Sequence, residues 1–509
     1  MKTMNTISKV FALAFLAAFA ACGKLEPMDY TDLNTTIIPR TEKDVAALVD
    51  GVYHPFQSSW WDGMFACNDR GIIWFTDASV DILTNTWGVQ KACNEFNFTV
   101  ATGDVTRFYY SSNPFLYLNA NCRDDGYVND LNGATLLIDQ IENLDFLTQE
   151  KKNLYLATVR CARGLLGYTL FDLYGPVSVA PLEMLKNPLK SEPVARLSHD
   201  AMVRFIEEDL TFAAQHLPSP VKAEYGRFSS GLAKMLLARL YMHEAKDAPD
   251  YYKKAETVLD DLMSAANGYA LQESYPKMFD LGGQGAANKE IIFAVPTRRS
   301  DSNSWNDWHG SICPSDFGYR DWAGTSGYGT TSASWAFYDS FEAGDQRRTY
   351  LLGSYYTKKG ELIERGNKKL QRGAIPCKFG PVPNYNGAVE KQDIILYRYA
   401  DALLAKAECL YLKPSATDAD KRNALALINR IRTRAGLKGL AFEDIDTKDE
   451  FIDHLVLERK HEFWCENGQV RADVIRLGRW GGPDYTQLYP LPEAVIVDGQ
   501  GKVAQNPGF

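Results

Sequence analysis

Ile394-Ile395-Leu396-Tyr397-Arg398-Tyr399-Ala400-Asp401-Ala402-Leu403-Leu404-Ala405-Lys406-Ala407-Glu408-Cys409-Leu410-Tyr411-Leu412, then Lys413-Pro414-Ser415, then Asp418 to Ala435, is the stretch that decides the fold. Apolar and small residues recur at helical spacing on both sides of the break. Proline and serine interrupt the pattern between the two runs. The reading is a pair of helices, Ile394 to Leu412 and Asp418 to Ala435, of about four to five turns each. Ala405 and Ala407 leave room for a close neighbour. Neither helix buries its apolar stripe alone, so such pairs stack on further pairs.

The same pattern continues outward. From Lys151 to Leu173, Leu154, Ala157, Cys161, Leu165 and Tyr168 share one helical face, and Gly175-Pro176 supplies the stop. Ser198 to His216 opens on a serine cap and ends before Pro218. Ser230 to Ala245 and Tyr251 to Ala266 form a second tight pair around Asp247-Ala248-Pro249, and Lys448 to Glu466 is a further helix. These are tetratricopeptide-like hairpins without a strict repeat of about 34 residues. Residues 54–135 and 268–390 differ. They are rich in Gly, Ser, Asn, Asp and aromatics, with short strand-like runs such as Glu290-Ile291-Ile292-Phe293-Ala294-Val295. Loops of that length are usually functional. The expected class is therefore mainly α: helical hairpins forming a scaffold, with long loop-rich insertions and a few short strands.

At the N-terminus, Lys2 and Lys9 precede an apolar run from Val10 to Ala21. A spanning helix needs about 20 apolar residues, so this shorter run reads as a secretory signal. Phe19-Ala20-Ala21-Cys22-Gly23 resembles a bacterial lipobox, with Phe19 where that pattern prefers leucine. The resemblance implies a lipoprotein signal peptide over 1–21 and acylation of Cys22, palmitate included; an ordinary signal with an incidental cysteine is the blander reading. Acyl chains contribute about 0.8 kcal/mol per buried methylene, and stable anchoring takes more than one chain. The mature chain, 22–509, reads as one domain, with an N-terminal part of about 22–225 and a C-terminal part of about 226–509. Removing Lys2 and Lys9 takes the net charge from −9 to −11. An acidic chain without a basic run argues against nucleic acid as a partner. The other cysteines, at 67, 93, 122, 161, 313, 377, 409 and 465, contain no CxxC pair and read mostly as buried thiols.

Several segments in order resemble the SusD/RagB family. They are Tyr30-Thr31-Asp32-Leu33 through Asp44 to Gly51-Val52-Tyr53, and Arg163 to Pro176 with Tyr168, Phe171 and Leu173-Tyr174-Gly175. Gly226-Arg227-Phe228 follows, with Ala233-Lys234 and Leu236-Leu237-Ala238. Arg398-Tyr399-Ala400-Asp401-Leu403-Leu404 with Ala407-Glu408 is the most recognisable helix. Glu458-Arg459-Glu462-Phe463 with Arg471, Asp473 and Arg479-Trp480-Gly481 resembles the C-terminal signature, although Gln469-Val470 stretch it. Tyr489-Pro490-Leu491-Pro492 and Gln505-Asn506-Pro507-Gly508-Phe509 resemble the close. The resemblance implies a helical nutrient-binding protein, lipid-anchored in the outer membrane and facing the cell exterior. It also implies an oligosaccharide ligand and a SusC-like TonB-dependent transporter as partner, with no catalysis and no cofactor.

Trp60, Trp61, Trp74 and Trp87 lie in the first loop-like stretch, and Trp305, Trp308, Trp322 and Trp335 in the second. Flat aromatic faces suit the C–H faces of sugar rings and lose little side-chain entropy on binding. The resemblance places ligand-facing loops in about these two regions. The ligand-binding candidates are therefore Trp87, Asn85, Trp305, Trp308, Tyr319 and Trp322, each with core packing as the competing reading. Trp60 and Trp74, beside apolar neighbours, read as core. His461-Glu462-Phe463-Trp464-Cys465 has half of a zinc-protease helix but lacks the second histidine, and the family signature takes Glu458, Arg459 and Glu462 as structural ion pairs. No metal site and no catalytic residue is assigned. A peptide or glycopeptide receptor, a glycoside hydrolase and a plain helical scaffold are the alternatives.

Overall fold

The computed structural model describes residues 39–56, 63–65, 71–85, 88–97, 127–187, 192–279, 284–297, 308–318, 327, 329–378 and 392–509. Cys22, Trp87, Trp305, Tyr319 and Trp322 lie outside them, as do Trp60, Trp61, Cys67 and Cys122. Helices α1 (Glu42–Gly51), α2 (Ile72–Ala78), α3 (Gly88–Asn94), α4 (Tyr127–Glu142), α5 (Gln149–Tyr174), α6 (His199–His216), α7 (Ser230–Glu244) and α8 (Tyr251–Leu262) come first, with strand β1 (Leu83–Asn85) between α2 and α3. Strand β2 (Ile291–Val295) precedes α9 (Trp308–Ile312), β3 (Thr331–Ser334) and α10 (Trp335–Asp339). Then come β4 (Leu351–Leu352), β5 (Ser354–Tyr356), β6 (Leu362–Glu364), β7 (Gly373–Pro376) and β8 (Ile394–Arg398). Then follow α11 (Tyr399–Leu412), α12 (Asp418–Arg434), α13 (Lys448–Phe463) and α14 (Gln469–Arg476), with a short helix, Glu493–Asp498, near the end.

Local chemistry sets most helix starts. Thr148, Ser198, Ser229, Thr417 and Thr447 each accept the N–H of the residue three positions on. At Thr417/Asp420 and Thr447/Glu450 the second carboxylate returns the bond, completing a capping box. Such caps contribute about 1 kcal/mol each. Consecutive helices α4 to α8 then pack each on the next, and α8 packs on α11, which pairs with α12. This is the stacked-hairpin scaffold the periodicity predicts. One core runs through the stack, and a smaller cluster around Val45, Ile141 and Val159 fills the join of α1, α4 and α5.

Two sequence expectations change. Residues 394–398 do not open the helix; they form β8, antiparallel to β2. Ile394-Ile395-Leu396-Tyr397 is a continuous apolar run, which periodicity cannot divide between strand and helix, and its β-branched and aromatic content favours the pleat. The stretch 54–135 is also less loop-like than expected, since α2, α3 and the start of α4 fall in it. The six described cysteines, Cys93, Cys161, Cys313, Cys377, Cys409 and Cys465, are free and buried. Among the described residues no helix is long and apolar enough to cross a membrane.

Candidate functional site

The two tryptophan-rich stretches meet in a small antiparallel sheet of order β1-β3-β7-β4. Leu83 faces Ala333, Thr84 faces Ser332 and Asn85 faces Thr331. The bend into β1 is held from the other stretch: Ser334 N–H donates to Ile82 O at 2.9 Å and its hydroxyl to Asp81 O at 2.6 Å. From α3, the Asn94 amide donates to Ala78 O and Leu83 O at 2.7 and 2.6 Å, and its oxygen accepts the Asn85 N–H at 3.2 Å. On the far side β3 meets β7 so closely that a Cβ on Gly373 would stand 1.7 Å from Ala333 O. Only glycine fits there. Asn85 and Thr331 thus pair in one sheet, although more than two hundred residues separate them in sequence.

Within that frame the candidate residues divide. Trp308 is 0% exposed. Its ring stacks on Trp74 at 4.6 Å and 22°, and its Nε1–H donates to Pro376 O at 2.8 Å. Trp308 is thus a core residue joining α2, α9 and β7, and the reading of it as a ligand platform is corrected. Trp74 is core, as its apolar neighbours suggest. Asn85 is 7% exposed, and its amide donates to Thr331 Oγ1 at 2.6 Å. In this structure it fastens the two stretches together. Trp87, Trp305, Tyr319 and Trp322 lie outside the described residues. Trp335 is half-buried beyond β3, with Arg365 4.3 Å over its ring and its Nε1–H on Leu370 O.

The core also holds a buried ionic network that sequence reading placed only in part. Arg398 donates to Glu290, Glu462 and Glu466 at 2.5 to 2.8 Å. Arg434 pairs with Glu290 and Glu462, and Arg347 with Asp345, Glu458 and Glu462. A second group joins Arg239 and Arg459 to Asp401 and Asp473, and Arg476 to Glu408 and Asp473. Burial alone would raise the Glu462 carboxyl, but Arg434, Arg398 and Arg347 hold it well below the usual range. Burial pulls the Lys378 ammonium down to about 8 against the opposing pull of Glu466. Burial likewise pulls His461 down to about 2; its Nε2 lies 2.8 Å from Ser340 Oγ and its ring stacks on Phe341. Glu462 is engaged by guanidinium groups, so His461-Glu462 is part of the ion network. Among the described residues no three His, Cys, Asp or Glu side chains converge as a metal set.

Residues 349–489 match the family model described as the SusD family. That segment is similar to the SusD family. The chain is 24% identical over 383 residues to the SusD-like protein P38 of Formosa agariphila, covering 68% of this chain and 70% of that one. A SusD superfamily protein from Parabacteroides distasonis superposes with a TM-score of 0.70 at 19% identity, covering 92% of this chain and 99% of that one. Surface glycan-binding protein A from Bacteroides thetaiotaomicron, solved in complex with laminarihexaose, gives 0.66 at 18% identity, covering 91% and 99%. The SusD-family segment begins beside β4 and ends at Tyr489, whose hydroxyl lies 3.4 Å from Ser79 Oγ. It holds Arg398, Asp401, Glu462 and Asp473. It leaves out β1, α9 and β3, and all six ligand candidates precede it in the sequence.

Proposed function

We propose that this chain, SusD-like in residues 349–489, is a surface glycan-binding lipoprotein that captures an oligosaccharide without chemistry and passes it to a SusC-like TonB-dependent barrel. The β1–β3 pairing carries the proposal, because it brings the roots of two aromatic-rich, separately coded stretches to one sheet edge. Aromatic stacking with a few hydrogen bonds needs to supply only about −4 to −8 kcal/mol for millimolar to micromolar binding. The bound laminarihexaose of the Bacteroides thetaiotaomicron neighbour supports a sugar as the ligand class. Acylated Cys22 would set the address on the outer membrane.

The test is affinity electrophoresis of the purified protein against a polysaccharide panel, with a peptide panel alongside. Retention by a polysaccharide, weakened in Trp87→Ala or Trp322→Ala at unchanged melting temperature, is expected. Capture of peptides with no polysaccharide retained would replace the glycan reading with a peptide receptor, and polysaccharide breakdown would replace it with a hydrolase. Labelled palmitate that enters the wild type but not Cys22→Ser checks the anchor.

A further inference from the structure

The β5–β6 hairpin turns a ring to solvent without a packing reason. Its inward pair, Tyr355 and Ile363, is buried, and Tyr355 OH donates to Asp316 Oδ1 at 3.0 Å. The outward pair, Tyr356 and Leu362, is 61% and 44% exposed. Directly opposed residues of an antiparallel pair share one face, so the two make a single small platform. That platform is fixed to the segment before Tyr319. Gly318 N–H donates to Tyr356 O and Lys358 N–H to Asp316 O, both at 2.8 Å. A Cβ on Gly318 would stand 2.4 Å from Thr357 O, so only glycine allows this contact.

Charge gathers on the hairpin and on the turn, Lys368–Leu370, that follows it. Over residues 353–372, Lys358, Lys359, Arg365, Lys368, Lys369 and Arg372 stand against Glu361 and Glu364, in a chain of net charge −9. Arg365 and Lys369 are paired with Asp339 and Asp316. Lys358 donates to the Ser315 carbonyl, and Lys359 and Lys368 are exposed with no ion pair among the described residues. We propose that this hairpin is a further part of the ligand surface, with Tyr356 stacking on a sugar ring while Lys358, Lys359 and Lys368 select glycans bearing carboxylate or sulfate groups. The proposal rests on the glycan reading above and narrows it to acidic glycans. An anionic membrane would also suit the charge, but one ring and one leucine offer too little apolar surface to insert, whereas they match a single pyranose.

The test uses the purified protein with laminarin as neutral probe, polygalacturonate and chondroitin sulfate as acidic probes, and phosphatidylglycerol vesicles. Retention by an acidic polysaccharide is expected to weaken about tenfold in Tyr356→Ala. It should weaken several-fold in the double variant Lys359→Ser with Lys368→Ser, and fade at about 0.5 M salt as screening shortens the reach of the lysines. Both changes are on exposed side chains, and a melting curve checks folding. Retention by laminarin alone overturns the acidic selection and leaves the glycan reading standing. Acidic retention that both variants keep, or vesicle capture without polysaccharide retention, overturns the hairpin's role. Peptide capture with every polysaccharide ignored overturns both.

Discussion

Replacing Trp308 by alanine separates a core residue from a ligand platform. A tryptophan sealed at 0% exposure removes up to about 250 Å² from water, worth an upper limit of about 6 kcal/mol at 25 cal/mol per Å². Truncations of buried aromatics cost about 3–5 kcal/mol in practice. The lost Nε1–H bond leaves the Pro376 carbonyl short of a donor and adds about 1 kcal/mol. We take about 5 kcal/mol. With an unfolding entropy of about 2.1 cal/mol/K per residue, a chain of this length melting as one unit has an entropy of about 1 kcal/mol/K. Trp308→Ala is therefore expected to lower the melting temperature by about 5 °C. Trp308→Phe keeps a ring against Trp74 and loses the donor, so it should fall by about 1–2 °C. Calorimetry on the purified proteins reads both. A Trp308→Ala protein that melts within about 1 °C of the parent but no longer binds polysaccharide would refute the burial argument and restore the indole to the ligand surface.

Other perturbations follow from the same geometry. Glu462→Gln leaves Arg347, Arg398 and Arg434 buried around a neutral amide and should cost about 3–5 kcal/mol by chemical denaturation, whereas Asp339→Asn at the exposed Arg365 pair should leave the midpoint unchanged. Gly373→Ala drives a methyl into Ala333 O and should destabilise by about 3 kcal/mol while also weakening polysaccharide retention, because β3 carries β1. Asp77 is buried, which raises its carboxyl to about 7 although the Cys465 N–H bond works the other way. The folded state thus keeps a proton that the unfolded chain releases from about pH 4 upward. Asp77 contributes most to stability below pH 4 and loses that contribution as pH rises to about 7, so Asp77→Asn should gain on the wild type in melting temperature between about pH 4 and 7. A constant difference across that range would show that Asp77 does not titrate there.

What could be read from sequence was local, and what could not was long-range. The cap at Ser198 and the stop at Gly175 lie within one turn of what they satisfy, so the stacked hairpins were legible. Glu458, Arg459 and Glu462 were legible as ion pairs, but their partners Arg347, Arg398, Asp401 and Asp473 come from other elements that no spacing announces. Trp308 misled for the same reason. Its neighbours Asn303, Ser304, Asn306 and Asp307 are polar, as in an exposed loop, while its burial is set by Trp74 and Pro376 in distant segments. Asn85 was singled out as a sugar contact, and the structure gives its amide to Thr331. Tyr356 went unread, although Tyr355-Tyr356 before Lys358-Lys359-Gly360 and Leu362-Ile363 carries the alternation of a hairpin.

The ion network ties together elements that lie far apart in the chain. Buried pairs add little net stability over apolar packing, because desolvation offsets most of their attraction. Their effect is on alternatives. Arg398 ends β8 and adjoins the start of α11, and it is held at once by Glu290 ahead of β2 and by Glu462 and Glu466 at the end of α13. A one-residue slip of β8 would turn the guanidinium to the other face and leave several buried charges unmatched. We read the network as a lock on register, and the contrast between Glu462→Gln and Asp339→Asn tests whether its charges are that costly to orphan. The β1–β3 edge and the β5–β6 hairpin are held by backbone bonds, by glycines at positions 373 and 318, and by a few side chains such as Asn85 and Lys358. The side chains of Tyr356 and Lys359 take no part in those bonds, so either can be exchanged without disturbing the register that holds it in place.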